Sequence, residues 1–209
     1  EICACLVGSE MCIRDRNKSM RVNGILYYFD SNGYRITDLT KRYRGPYSVQ
    51  VDRVNGVMTV YADSARTIPV KTIRVSVGLA GTPTPTGDFT LSRSLRWQPL
   101  MGPSWGQYGT HVDRAGQGGI FVHSVACGQA NSYNLPAVEY NKLGSPASHG
   151  CIRACVADAK WVYENCNGAS ISIIDGQYKA DDAMKGPLGK KALTPLRGAG
   201  NFDPTDPAV

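Results

Sequence analysis

The sequence predicts a mainly β chain, a sandwich or barrel-like domain with long loops. Three observations lead there. Short runs of Val, Ile, Tyr and Phe alternate with polar residues and end at turn dipeptides. Gly (23) and Pro (12) are frequent among 209 residues, which favours a turn-rich β protein over a helical bundle. One segment alone, Ile152 to Asn165, repeats its apolar residues at helical spacing.

The elements follow in order. Residues 1–16 (EICACLVGSEMCIRDR) show no periodicity, resemble a translated sequencing-adapter leader and are set aside as non-native. In residues 17–40, Asn23-Gly24 and Asn32-Gly33 flank the run Ile25 to Phe29, a compact hairpin signal. Residues 41–48 form a basic, turn-prone linker. The domain proper spans 49–175. Val49 to Val54 and Val57 to Ala62 alternate around Asn55-Gly56, a second hairpin, and Ile68 to Leu79 alternates Val/Ile with Lys/Arg. Pro83 and Pro85 stiffen the loop from Gly81 to Gly87. Phe89 to Leu95 reads as a strand, and residues 96–118 as a long irregular lid or binding loop. Gly119 to Ser124 is a short buried strand, and 125–147 a second long segment. The Ile152–Asn165 helix turns Ile152, Cys155, Ala159 and Val162 to one side and closes at Asn167-Gly168. Ala169 to Ile174 is the last strand, and the proline-rich tail 176–209 is expected along the surface or partly disordered.

Composition excludes several function classes. Apolar residues make up 42% and charged residues 19%, as in an ordinary globular chain, not a disordered one. The net charge of +6 is modest and diffuse, without the basic stripe of a nucleic-acid binder. It fits a solvated surface or a loose attraction to an anionic surface such as a bacterial wall. No apolar run reaches the ~18 residues of a membrane span. No charged-then-apolar start resembles a signal peptide, so the chain reads as cytosolic, as a fragment or as a mature form. None of the seven cysteines has C-x-x-C spacing.

Chemistry concentrates at Ser148-His149-Gly150-Cys151-Ile152-Arg153. At the start of the expected helix, Cys151 would face unpaired N–H groups and the positive dipole end, which favours thiolate. Gly150 lets backbone approach a substrate, and nearby N–H groups suit an oxyanion. Such a nucleophile needs a base. His149, two residues away, and His123, at a strand end, are the candidates; His111 reads as a surface or loop histidine. A zinc site from His111, His123, His149 and Cys151, a pure wall-binding module and an unrelated cysteine peptidase are the competing readings.

The pattern Gly119-x-x-x-His123-Ser124 … Ser148-His149-Gly150-Cys151-Ile152-Arg153 resembles the catalytic domain of the YkuD-type L,D-transpeptidases. So do TPTPTGDFTL at 82–91 and Asp158-Ala159-Lys160-Trp161 with Cys166. The resemblance implies a β-sandwich with one or two helices and a cleft under long lid loops. It implies Cys151 as nucleophile and His123 as general base, with a backbone carbonyl or the surroundings of Ser124 orienting the imidazole. His149 and Gly150 would shape the oxyanion site with the Cys151 N–H. On the substrate side it implies Ser148, Arg153 (holding a peptide carboxylate or bracing the loop), and Trp97, Trp105 and Tyr108 in the lid.

The implied reaction is acyl transfer on peptidoglycan: a tetrapeptide donor stem forms a thioester, D-alanine leaves, and a second stem's amine makes a 3→3 cross-link. Water as acceptor would make the same site an L,D-carboxypeptidase. Neither needs a metal or cofactor. The partners are donor and acceptor stems outside the cytoplasmic membrane, in the wall or secreted, of a Gram-positive, clostridia-like bacterium. Residues 19–38 resemble one cell-wall-binding repeat, matching at Tyr27, Tyr28, Phe29, Asp30 and Gly33 with Leu26 at the Trp position. That implies the last repeat of a truncated array, whose contact would be with wall glycan or teichoic acid, or else a leader hairpin without function; a single copy is expected to bind nothing alone. Where the family has an apolar residue after Arg153, this chain has Ala154-Cys155. Cys155, one helical turn from Cys151, reads as a small buried hydrophobe, a disulfide partner of Cys127 or Cys166, or a redox partner of Cys151.

Overall fold

The computed structural model describes residues 16–114, 119–178, 188–189, 193–197 and 201–209; except for Arg16, the leader at 1–16 lies outside them. Strands β1 (Ser19–Val22) and β2 (Ile25–Tyr28) pair antiparallel around Asn23-Gly24. Both turn residues have positive φ, 52° and 82°, the backbone an Asn-Gly hairpin turn requires. This hairpin lies against the rest of the chain. The Leu26 N–H donates to the Thr67 carbonyl (2.8 Å), Tyr27 and Tyr28 pack on the main core, and Arg42 sits over the Tyr28 ring. The aromatic face expected to contact wall polymer is thus half-buried against the domain.

Chain order then runs β3 (Ser48–Asp52), β4 (Val57–Tyr61), β5 (Pro69–Arg74), β6 (Gly87–Arg93), β7 (Trp97–Leu100), β8 (Ser104–Gln107), β9 (Thr110–Asp113), β10 (Ile120–Ser124), α1 (Ala137–Asn141), β11 (Ile152–Ala154), α2 (Val156–Asn165) and β12 (Ser170–Ile174). Eight strands form one mixed sheet in the order β11-β10-β9-β6-β12-β3-β4-β5, with β10–β11 and β12–β3 parallel. Its two edges meet. Ser76, just beyond β5, exchanges both backbone hydrogen bonds with Arg153 of β11, at 2.9 and 2.8 Å. The sheet therefore curls around a single core, and the mainly β expectation holds. Period-2 alternation drives it: Val49 and Val51, Met58 and Val60, Ile171 and Ile173 point inward from successive strands and are buried together. Val156, Ala159 and Val162 of α2 close the core. A second cluster, including Val125, Leu135, Tyr140 and Leu143, fills the space under the 125–147 segment.

Three expectations are corrected. The irregular segment 96–118 holds three strands, β7 to β9; Gly, Trp and Tyr hide strand alternation because backbone pairing, not apolar periodicity, defines this hairpin. The Ile152–Asn165 helix is two elements. Ile152 and Ala154 are buried at strand period beside Val122 and Ser124, and the helix starts only at Val156, after Cys155 at its N-cap. Two short buried runs in sequence mimic one helical stripe.

The described residues of the tail, finally, are docked. Leu188 is fully buried in the main core, and Leu193 and Leu196 pack on the second cluster. Cys155 provides no side-chain cap to α2. Asp203 Oδ2 instead accepts the Val156 N–H (2.7 Å), and Thr205 Oγ accepts the Ala157 N–H (3.0 Å), so the helix is capped by residues far along the chain. Among the described residues, no helix is long and apolar enough to cross a membrane.

Candidate active site

Strand register assembles the site. In the parallel β10–β11 pair, His123 lies opposite Arg153 and Val122 opposite Ile152. Side chains alternate, so Val122 and Ile152 enter the core while Phe121, His123, Cys151 and Arg153 share the other face. All four line a cleft of about 570 Å³. Pro99, Leu100, Met101 and Ser104 of the β7–β8 hairpin form one wall, and Glu139 of α1 another.

His123 is 1% exposed. Its Nδ1 hydrogen-bonds the carbonyl of Ser124, so Nδ1 carries the proton and Nε2 is the ring's acceptor. Burial, helped by the positive charge of Arg153, pushes the imidazole down to about 4 despite that carbonyl bond. His123 is thus a neutral imidazole at ordinary pH. Ser124, also buried, is held from below: its Oγ accepts the Gln107 N–H (2.8 Å), and Gln107 Nε2 donates to Asp206 Oδ2 of the tail (2.8 Å). Gly106 presses directly on the ring. A Cβ there would lie 2.5 Å from Nδ1 and 2.8 Å from Cγ of His123.

Cys151 does not open a helix; it sits in the loop immediately before β11. The dipole expected to favour thiolate is therefore absent. Burial raises its thiol above the ordinary value, against the opposing pull of a Phe121 backbone hydrogen bond and the Arg153 charge. The cleft thus holds a neutral thiol and a neutral imidazole.

The loop is locked from within. Ser148, 1% exposed, donates to the Cys151 carbonyl and accepts the Gly150 N–H (3.1 Å). Its hydroxyl is thereby committed to the loop, and the Gly150 N–H is committed to Ser148. Gly150 has φ of 117°, and a Cβ there would lie 2.9 Å from Ile120 Cδ1, so only glycine fits. From outside, Thr84 of the TPTPTG segment donates to the Gly150 carbonyl (2.7 Å) and accepts the Gly78 N–H (2.9 Å). His149 is exposed at the cleft.

The other expected residues divide. Arg153 Nη1 pairs with Glu139 Oε2 at 2.8 Å and so braces the cleft wall while facing the cavity. Trp97 packs on the second cluster, and Trp105 pairs its backbone with Cys127. Tyr108 is a core residue meeting Tyr163 edge to face, with Arg96 over its ring. The hairpin does overhang the cleft, but through Pro99 to Met101 and Ser104, not through these three aromatics. Cys155 shares no helical face with Cys151; it is buried in the second cluster and donates to Asp158 Oδ2 (3.1 Å). Cys127, Cys151, Cys155 and Cys166 are all free thiols, and burial pushes Cys127 up to about 11 and Cys155 and Cys166 to about 12. Among the described residues, no three His, Cys, Asp or Glu side chains gather as a metal site, so the four-residue zinc arrangement does not assemble.

Sequence reasoning missed Gly106, Gln107, Thr84, Glu139 and the tail aspartates. Only Thr84 had a signal, the TPTPTG segment, and nothing in that segment assigns it a partner.

The fold and cleft together define a mainly β domain whose cleft holds His123 of β10 and Cys151, just ahead of the parallel strand β11. Residues 46–189 match the YkuD family, the L,D-transpeptidase catalytic domain, and the chain belongs to that family. The YciB protein of Bacillus subtilis (strain 168), named as an L,D-transpeptidase, is 48% identical over 48 residues, 23% of this chain and 24% of that protein. A solved L,D-transpeptidase from Mycobacterium smegmatis is 22% identical, with a TM-score of 0.46, over 61% of this chain and 58% of its own. One from Mycobacterium tuberculosis H37Rv is 20% identical, with a TM-score of 0.47, over 62% and 57%. The chain spans less than two thirds of each of these three relatives.

Proposed function

We propose that this chain is a peptidoglycan L,D-transpeptidase that makes 3→3 cross-links through a thioester on Cys151. One observation carries the reading: Cys151, just ahead of β11, and His123 of the neighbouring β10 line the same cleft, with the His123 tautomer set by Ser124. The thiol attacks the carbonyl of the third stem residue as its proton passes to Nε2 of His123. The C–N bond to D-alanine then breaks, and His123 returns the proton to the leaving amine. A neutral pair suits this concerted transfer, since no ion pair needs to be kept buried. The thioester passes to the amine of a second stem, giving the cross-link. Arg153, paired with Glu139 beside the nucleophile, offers a cation to a peptide carboxylate. The substrate places the protein outside the cytoplasmic membrane, in the wall or secreted.

Water as acceptor is the alternative outcome, an L,D-carboxypeptidase at the same site. Intact mass spectrometry and chromatography after mixing the protein with a disaccharide-tetrapeptide separate the two, with Cys151→Ala alongside. D-alanine release and an acyl adduct in the wild type only are the expected result. The dimer-to-tripeptide ratio then reports the acceptor. A folded, reduced wild type that leaves both lysine- and diaminopimelate-containing stems unchanged sinks the proposal.

A further inference from the structure

Thr84 is fully buried, and its hydroxyl stands between two backbones. It accepts the Gly78 N–H (2.9 Å) and donates to the carbonyl of Gly150, the residue before Cys151 (2.7 Å). Close packing brings these residues together. A Cβ on Gly78 would lie 2.6 Å from the Thr84 nitrogen, and the Leu79 N–H donates to the Ser148 carbonyl (2.9 Å), laying the 148–151 loop along the same stretch. Behind Thr84, Arg53 Nη1 donates to the Thr84 carbonyl, while Arg53 Nε and Nη2 fork onto Asp175 at 2.8 and 2.6 Å. One peptide group next to the nucleophile is pinned as a result. The Gly150–Cys151 bond is trans, and in a planar trans amide the N–H and C=O point in opposite directions. The carbonyl faces buried Thr84, so the Cys151 N–H faces away from it. Ser148, His149 and Cys151 line the cleft, and Gly150 between them does not. The Gly150 N–H is committed to Ser148 Oγ, whereas the Cys151 N–H has no hydrogen-bond partner among the described residues.

We propose that Thr84 is a positioning residue for acylation: through the Gly150 carbonyl it aims the Cys151 N–H at the oxygen that becomes negative when Sγ adds to the stem carbonyl. The inference rests on the transpeptidase reading and says how its charged intermediate is held. As the C–S bond forms, the carbonyl π pair moves onto oxygen, and the Cys151 N–H donates to that oxygen. Collapse of the intermediate restores the C=O and breaks the C–N bond to D-alanine, whose amine takes the proton from His123. A donor oriented before the reaction needs no reorganisation during it. An amide whose carbonyl accepts a hydrogen bond is also polarised, so the chain from Gly78 through Thr84 to Gly150 strengthens the Cys151 N–H as a donor.

The test uses the full chain with Thr84→Val, which keeps the side-chain shape without the hydroxyl, and Thr84→Ser, which keeps the hydroxyl. Two reactions of Cys151 are timed at one pH. The first is acylation by a disaccharide-tetrapeptide. The second is alkylation by iodoacetamide, in which sulfur displaces iodide from a saturated carbon and no oxyanion forms. Intact mass and peptide mapping locate both adducts, and thermal unfolding checks the fold. Thr84→Val is expected to acylate about 10²-fold more slowly than wild type. Its alkylation is expected within about threefold of wild type, and Thr84→Ser within about threefold in both reactions. Should the valine variant not fold, Thr84→Ala carries the same expectations. A folded variant without the hydroxyl that acylates within about threefold of wild type overturns the proposal. So does a parallel loss of both reactions, which would mean that Thr84 only seats the thiol, or a serine variant as slow as valine. A wild type that alkylates but neither gains an acyl group nor releases D-alanine overturns the underlying transpeptidase reading instead.

Discussion

Gly106→Ala is the sharpest probe of how this site holds the His123 ring. The added Cβ would sit 2.5 Å from Nδ1, 2.8 Å from Cγ and 3.0 Å from Cβ of His123. Ordinary contact needs the ring to retreat by about 1 Å. Strand β8 cannot yield instead. Gly106 is paired with Gln98, its neighbour Trp105 exchanges two 2.8 Å backbone bonds with Cys127, and the Gln107 N–H is bound to Ser124. The imidazole therefore moves away from the Ser124 carbonyl, forfeiting a hydrogen bond worth about 1 kcal/mol and the tautomer it sets. A displacement of that size at a reacting group costs on the order of 10²-fold in rate, or about 2.7 kcal/mol of barrier. The assay is the single-turnover rate of Cys151 acylation by tetrapeptide, followed by intact mass, with circular dichroism to show the fold. A folded Gly106→Ala protein that acylates within about threefold of wild type refutes the reasoning.

Other expectations follow from the same contacts. Because burial lowers His123 to about 4 while an unfolded imidazole titrates near 6.5, its contribution to stability is whole above that higher value. It falls as pH drops toward about 4, by roughly 3 kcal/mol in total. Urea midpoints across this window should flatten in His123→Gln, and an unchanged slope would show that another group sets it. Asp203→Ala removes the acceptor for the buried Val156 N–H and should cost about 2 kcal/mol, seen as a Tm lower by about 4–8 °C. Ser124→Ala strands the buried Gln107 N–H but keeps the carbonyl that holds His123. It should cost about 1–3 kcal/mol in urea unfolding and leave acylation within about threefold; a larger loss of rate would make the hydroxyl itself part of the catalysis.

Local pattern alone made much of this protein legible. Alternating apolar residues at 49/51, 58/60 and 171/173 are strands because period 2 turns them together into the core, and Asn23-Gly24 turns because Asn and Gly tolerate positive φ. The Ser148–Arg153 motif and the upstream His123 stood out by residue type and family resemblance, and both line one cleft. Tertiary structure decided the rest. Whether Cys151 is thiol or thiolate depends on burial and on the absence of a helix at that point, neither visible in a six-residue motif. The apolar stripe from Ile152 to Val162 was misleading because two buried runs, one strand and one helix, add up to a helical spacing. The partners of His123 come from β8 and, through Gln107, from Asp206 in a tail whose own sequence shows no period. Contacts between residues a hundred positions apart leave no local signature, because hydrogen bonding and packing act through space while sequence pattern records only neighbours along the chain.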